Sequence, residues 1–259
     1  MMLCTLLVYL SSIAYHTYHV TGQLQLGSPW PMYGRNQLHT SNSPFLTNPL
    51  TDGKLRWKLF MGSQIQSSPS IGADGTIFFG TDAGLVYAVR STGEVIWKYQ
   101  TRGAVISTPA LSQKDMIFFG SWDKQLYALR ASTGAYLWLY KVTDIIQSSP
   151  VIDENNNIYF CSGSNVYALY DTGKLKWQVS VRGISAVSPA LSLDGILFLT
   201  NDVSTLPFNS LISLRASDGS KYVDPSFFNG DQVSYSSPLV SLNSKECSLP
   251  SFANGKECS

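Results

Sequence analysis

The chain has 259 residues, a net charge of +1 and only 14% charged residues, against roughly 25% in an average soluble domain. The small net charge argues against nucleic acid or an anionic membrane as a partner, because both are bound through a large excess of Lys and Arg. The 14 Tyr, 12 Phe and 6 Trp residues are typical of sheets packed on sheets.

The chain begins with an apolar run at residues 3–14. Its length suits the core of a signal peptide and is too short to cross a bilayer. We interpret residues 1–22 as a signal peptide and expect a secreted or extracytoplasmic protein without a transmembrane segment. No Lys or Arg precedes the run and no clear cleavage site follows it, so a disordered or wrongly assigned start is the alternative.

Residues 23–50 are rich in Pro, Ser and Asn and show no alternation of polar and apolar residues. They contain Trp30-Pro31-Met32-Tyr33-Gly34-Arg35-Asn36 and then His39-Thr40. We expect an ordered lead-in segment rather than a pair of strands.

Residues 51–242 repeat a unit of roughly 40 residues, which is a typical length for one propeller blade. Three markers recur along these residues: a Tyr-Ala pair, a turn glycine and a Trp. A Ser/Thr-Pro pair recurs at the same spacing of roughly 40 residues. The Tyr-Ala pairs begin at Tyr87, Tyr127 and Tyr167, the glycines are Gly93, Gly134 and Gly173, and the tryptophans are Trp57, Trp97, Trp138 and Trp177. Because independent markers recur with the same spacing, the chain is predicted to have a repeat architecture.

Each unit is predicted to contain four short strands joined by tight turns such as Asp-Gly and Thr-Gly. In the first unit the strands are expected at residues 67–71, 76–80, 85–90 and 95–99. The later units cover residues 106–141, 147–181 and 185–223, and a fifth begins at 233–242. Units that bury their faces only against their neighbours predict an all-β protein, a β-propeller of antiparallel four-stranded blades. We expect about four complete blades and a partial closing blade.

The closing blade is incomplete in the sequence. The strand around Trp57 has the pattern of a last strand, while residues 233–242 match only a first strand, and no two middle strands are evident. Either residues 243–259, a polar tail with cysteines, fill the gap irregularly, or the chain is part of a longer propeller of seven or eight blades. We expect the second, because an open ring exposes sheet edges.

The lead-in motif and the repeat of Tyr127-Ala128, Gly134 and Trp138 resemble the PQQ-repeat, or quinoprotein-like, β-propellers. The resemblance implies that Trp57, Trp97, Trp138 and Trp177 dock flat on the neighbouring blade, beside turn glycines such as Gly93, Gly134 and Gly173. Each such Trp would bury roughly 200 Å². This structural role requires no cofactor.

The family includes dehydrogenases that hold pyrroloquinoline quinone (PQQ) and calcium on the propeller axis, and also non-enzymatic scaffolds. The enzymes carry a vicinal Cys pair, a catalytic Asp and acidic or amide metal ligands, and some have a Cys-x-x-Cys-His haem site. The sequence has neither cysteine motif, and we can map no catalytic Asp onto it. We therefore expect no catalytic residue, metal site or cofactor, and PQQ with calcium only under the alternative of a dehydrogenase.

In an antiparallel four-stranded blade, the loops between the second and third strands share a face with the connections between blades. This face would display Asp82, Trp122, Asp123, Arg102 and Arg182. Trp122 does not occupy the repeat position of the docking tryptophans. Trp and Arg frequently anchor protein interfaces, so Trp122 could contact a partner. The alternative is that Trp122 folds back on its own blade.

We expect a non-catalytic secreted scaffold that binds a protein or carbohydrate through this face. The alternative is a PQQ-dependent dehydrogenase or a degenerate fragment of one. Cys247 and Cys258 in the tail could form a disulfide if the protein is secreted, and two free thiols are the alternative. Cys161 is expected in a buried strand.

Overall fold

The computed structural model describes residues 28, 30–37, 39, 55–181, 184, 187–200, 211–222, 239–240 and 247–248. The signal peptide expected at residues 1–22 lies outside these ranges, as do Arg182 and Cys258. Cys247 is placed in a strand, and its side chain is not among the described groups.

Antiparallel sheets follow one another along the chain, each paired in chain order. The first contains β1 (Ser70–Ile71), β2 (Ile77–Gly80), β3 (Leu85–Val89) and β4 (Val95–Gln100). The second contains β5 (Ala110–Leu111), β6 (Met116–Ser121), β7 (Gln125–Arg130) and β8 (Tyr136–Lys141). The third contains β9 (Val151–Ile152), β10 (Ile158–Ser162), β11 (Asn165–Leu169) and β12 (Leu175–Ser180). The predicted succession of antiparallel four-stranded units is confirmed in these three sheets.

The fourth and fifth units depart from this pattern. The fourth sheet contains β13 (Ala190–Leu191), β14 (Ile196–Thr200) and β15 (Leu211–Arg215), and its outer edge continues as a bridge between Leu214 and Lys221. In the fifth unit, β16 (Leu239–Val240) pairs with β17 (Cys247–Ser248). The sequence predicts only a first strand there, because the polar residues around Cys247 do not alternate with apolar ones. The pairing adds a short second strand within residues 243–259.

The first strand of the first sheet is shorter than the sequence predicts because a serine replaces part of the main-chain pairing. The Ser67 hydroxyl donates to the Gly80 carbonyl (3.2 Å) and accepts from the Gly80 amide (2.8 Å). Pro69 has no N–H to donate to a strand ladder. The same two-way hydroxyl contact joins Ser107 to Gly120 and Ser148 to Cys161. This contact explains the serine that precedes these Ser/Thr-Pro pairs.

The Tyr-Ala pair has a separate role on each face of the sheet. Ala128 lies in register between Phe118 and Trp138, so its small side chain leaves room for both rings. On the other face, the Tyr127 ring stacks on Phe119, with 5.4 Å between centroids. Sheets one and three repeat this arrangement, and the aromatic pairs bury the interior between sheets.

The first strands β5, β9 and β13 are buried next to one another, whereas β4 and β12 lie on the solvent-exposed side. The Thr108 amide donates to the Ser149 hydroxyl, and the Ser149 amide donates to the Ser188 hydroxyl, both at 2.9 Å. These bonds join the starts of β5, β9 and β13. The outer strands β4 and β12 alternate instead between exposed and buried residues, as the outer strands of propeller blades do.

Candidate partner-binding face

Neighbouring sheets are joined by a tryptophan that contacts a glycine turn. Trp97 Nε1 donates to the Ala131 carbonyl oxygen at 2.8 Å. Gly134, with φ of 72°, lies so close that an added Cβ would be 2.7 Å from Trp97 Cδ2. Three further indoles make the same contacts: Trp57 with the Ser91 carbonyl and Gly93, Trp138 with the Asp171 carbonyl and Gly173, and Trp177 with the Ala216 carbonyl and Gly219.

The lead-in crosses the ends of the inner strands; we call residues 30–37 together with His39 the strap. The Ile71 amide donates to the Trp30 carbonyl at 2.6 Å, and the Leu111 amide donates to the Pro31 carbonyl at 2.9 Å. The Leu191 amide donates to the Gln37 carbonyl at 2.7 Å. The strap therefore contacts sheets one, two and four in chain order, at the end where the first strand of each sheet turns into the second.

The opposite end carries a continuous series of loops, which we call the loop face: residues 62–66, 81–84, 101–105, 121–124, 142–146 and 162–164. Residues 101–105 bond to both neighbouring loops, because the Val105 amide donates to the Thr81 carbonyl (3.0 Å) and the Trp122 amide donates to the Ala104 carbonyl (2.9 Å). Residues 142–146 follow the same plan, with the Ile146 amide donating to the Ser121 carbonyl at 3.2 Å. These hydrogen bonds hold neighbouring loops in a fixed arrangement.

Trp122, Asp123 and Arg102, all predicted for one face, lie together on it. The Arg102 backbone amide donates to Asp123 Oδ2 at 2.9 Å. An added Cβ on Gly103 would lie 2.5 Å from the Asp123 nitrogen, so the two loops are in close contact. Trp122 remains 42% exposed. Arg102 is exposed beside it.

The Asp123 carboxylate also accepts a hydrogen bond from Tyr127, a residue that was not predicted for this face. Tyr127 donates its hydroxyl to Asp123 Oδ2 at 2.7 Å. Burial, and then the hydrogen bond to Asp123, raise the pKa of Tyr127 above its ordinary value, so the hydroxyl stays protonated and continues to donate. The i, i+4 spacing of Asp123 and Tyr127 across a tight hairpin is the signal that could have indicated the pair.

Asp82 lies on the adjacent loop of the same face. Its Oδ2 accepts from Gln66 Nε2 at 2.7 Å, and its amide donates to the Gln64 carbonyl at 3.0 Å. The equivalent amide bond of Trp122 to Ala104 shows that Trp122 occupies the Asp82 position of the next sheet. Arg182, the fifth residue predicted for this face, lies outside the described residues.

Among the described residues, no three His, Cys, Asp or Glu side chains group closely enough to hold a metal ion. Asp153, in a loop with many acidic and amide residues, uses both oxygens internally. Its Oδ1 accepts from the Asn155 and Asn157 amides, and its Oδ2 accepts from Asn157 Nδ2 and the Tyr159 hydroxyl. Burial raises the pKa of the Cys161 thiol, which disfavours a reactive thiolate.

Among the residues that the structure describes, no helix is long and apolar enough to cross a bilayer.

These sheets, with an indole contacting the next glycine turn, define a PQQ-repeat β-propeller. The chain belongs to the family described as "Outer membrane protein assembly factor BamB", whose model matches residues 47–186 and 108–223, together more than half of the sequence. The family resemblance inferred from the repeats is therefore confirmed. No curated protein matches the sequence.

Solved structures show the same fold at low sequence identity. Quinohemoprotein alcohol dehydrogenase from Comamonas testosteroni has a TM-score of 0.65 and 16% identity, with coverage of 78% of this chain and 41% of that protein. The ADHIIG quinohemoprotein alcohol dehydrogenase from Pseudomonas putida HK5 has a TM-score of 0.63 and 18% identity, with 76% and 40% covered. BamB from Moraxella catarrhalis has a TM-score of 0.52 and 19% identity, with 64% and 50% covered. The chain thus spans half or less of the length of these proteins.

Proposed function

We propose that this protein is a non-catalytic, extracytoplasmic scaffold that binds a protein partner through the loop face. The observation that carries the proposal is the exposed Trp122 beside the exposed Arg102. Both residue types are common among the few that dominate binding energy at protein interfaces. A large aromatic ring in a polar loop is costly to leave in water, and partner binding removes that cost.

The local geometry supports a preformed binding surface. The Arg102 amide bond to Asp123, the tight contact at Gly103 and the Tyr127 hydroxyl hold the two loops in one arrangement. A fixed surface loses little conformational entropy on binding. The family description, an assembly factor, agrees with a role in holding another protein rather than transforming a small molecule.

The proposal is tested by capturing partners from an extract of the source cells on the immobilised chain, with Trp122→Ala and Arg102→Glu as loop-face variants. The matched controls are Tyr136→Ala, which alters a 51% exposed aromatic residue on β8, and Lys98→Glu, which reverses an exposed charge on β4. We expect a protein retained by the wild type and both controls but lost from both loop-face variants. Equal retention by all five proteins would show that binding does not involve Trp122 or Arg102.

A quinone-dependent dehydrogenase is the second candidate, and the fold shared with two quinohemoprotein alcohol dehydrogenases favours it. Among the described residues, no three His, Cys, Asp or Glu side chains group closely enough to hold the metal that such an enzyme requires. The buried Ser149 and Ser188 hydroxyls already accept hydrogen bonds from the amides of Thr108 and Ser149. We therefore derive no reaction step for this chain.

A further inference from the structure

The strap and the inner-strand ends form an interface that is separate from the loop face. Its hydrogen bonds are mainly main-chain bonds, as in the complex of a protein with an extended peptide. The amides of Ile71, Leu111 and Leu191 all donate to strap carbonyls. Trp30 makes an antiparallel bridge with Ile71, which is how an added strand binds to a sheet edge. The Met32 side chain is only 1% exposed and belongs to the largest core cluster. Main-chain bonds and one buried apolar side chain thus anchor the strap.

The strap is bound in an unfavourable conformation. Its φ angles are 61° at Gly34, 75° at Arg35 and 57° at His39, a region that is costly for residues with a Cβ. Arg35 Nε and Gln37 Oε1 are buried and have no hydrogen-bond partner among the described residues. Each buried polar atom without a partner lowers the stability of the docked state. The strap is therefore bound less tightly than its contacts alone would indicate.

From these observations we infer that the inner-strand ends form a peptide-binding groove. The strap occupies this groove and can be displaced from it by another peptide. The ligand is an extended polypeptide segment that offers carbonyl groups to Ile71, Leu111 and Leu191 and an apolar side chain in place of Met32. Such a segment and the strap compete for the same three amides. The groove lies at the opposite end of the sheets from the loop face, so this site is additional to the proposed partner surface.

The first test measures amide hydrogen exchange in the full-length protein. Gly34→Ala places a Cβ 2.6 Å from His39 Cα and weakens the strap. Arg35→Gly removes both the strained Cβ and the orphaned Nε, and so strengthens it. Gly62→Ala is the matched control, because Gly62 has a similar φ of 68° with nothing within 4 Å of an added Cβ.

We expect Ile71, Leu111 and Leu191 to exchange about ten-fold faster in Gly34→Ala and slower in Arg35→Gly, as one cooperative unit. The Leu129 amide in the centre of β7 and the Gly62→Ala protein should match the wild type. Unchanged rates, or three amides that respond independently, would contradict the proposal.

The second test is fluorescence anisotropy with a fluorescein-labelled synthetic peptide of residues 28–40. Full-length Gly34→Ala should bind it about ten-fold more tightly than the wild type, and Arg35→Gly more weakly, because the resident strap competes with the peptide. Equal affinity for all three proteins, or no binding to Gly34→Ala, would overturn the inference. If Gly34→Ala does not fold, the comparison of Arg35→Gly with the wild type decides, since the inference requires slower exchange and weaker peptide binding.

Discussion

Trp97 in the first sheet donates its indole N–H to the Ala131 carbonyl in the second sheet, with 2.8 Å between the two atoms. The bond crosses the boundary between two repeats, and its ring lies against Gly134 of the same turn. Since each blade buries its faces only against its neighbours, contacts of this kind carry much of the cohesion of the array.

Gly134→Ala should destabilise the protein more than its backbone strain alone accounts for. The new Cβ would be 2.7 Å from Trp97 Cδ2, and we expect a loss of about 3 kcal/mol in the free energy of unfolding. Gly195→Ala is the control, because φ at Gly195 is 75° and the space around it is open; it should lose about 1 kcal/mol. Urea denaturation measures both, and equal losses would mean that the indole moves aside at no cost.

Trp97→Phe should cost roughly 1–3 kcal/mol, because it removes the indole N–H and leaves the Ala131 carbonyl unpaired. Trp122→Phe is the control at an exposed indole, and we expect a change within about 0.5 kcal/mol. Thermal and urea unfolding of the two variants test this difference. A Trp97→Phe protein as stable as the wild type would show that the inter-sheet bond contributes nothing.

The sheets were predictable from the sequence because the repeat markers occupy fixed structural positions. Ala128 must be small between Phe118 and Trp138, and Gly134 must accept both a positive φ and an indole. These demands recur in the first three sheets, so the spacing of the markers predicts their strands to within a few residues.

Other features left no periodic pattern. The strap bonds to the sheets through the carbonyls of Trp30, Pro31 and Gln37, and main-chain carbonyls carry no residue signature. The Ser67 hydroxyl replaces a main-chain pair, which shortened the first strand against expectation. On the loop face, Trp122 was identifiable as an unusual loop residue, whereas the Tyr127 bond to Asp123 left only the i, i+4 spacing of the two residues as a signal.

Ser148→Ala should cost about 1–3 kcal/mol of stability, because the buried amide and carbonyl of Cys161 both bond to the Ser148 hydroxyl. Ser180→Ala, at an exposed hydroxyl on β12, should change stability by less than about 0.5 kcal/mol. The free energies come from urea denaturation, monitored by tryptophan fluorescence. Similar values for the two variants would contradict the role of the serine that precedes the Ser/Thr-Pro pair.

Stability should fall at alkaline pH, partly through Tyr159. This side chain is fully buried and donates to Asp153 Oδ2 at 2.8 Å. Burial, and then the charge of Asp153, raise the pKa of Tyr159 above its ordinary value. Above about pH 10 the unfolded chain therefore releases this proton while the folded protein retains it, and the stabilisation present at lower pH is progressively lost.

Tyr159→Phe removes this contribution, while Tyr127 and Cys161, whose pKa values are raised in the same direction, remain in both proteins. Between about pH 10 and about pH 11 the wild type should lose up to about 1.4 kcal/mol more than the variant. Denaturation curves across this range provide the measurement. Parallel losses in the two proteins would show that Tyr159 titrates alike in the folded and unfolded states.

The most direct test of a non-catalytic scaffold is titration of the purified full-length protein with pyrroloquinoline quinone and Ca²⁺, followed by absorbance and calorimetry. We predict a protein spectrum with no quinone band before the titration and no saturable binding during it, because no three His, Cys, Asp or Glu side chains group together among the described residues. Stoichiometric binding of quinone and calcium, followed by oxidation of an added alcohol, would contradict the scaffold function and establish the dehydrogenase.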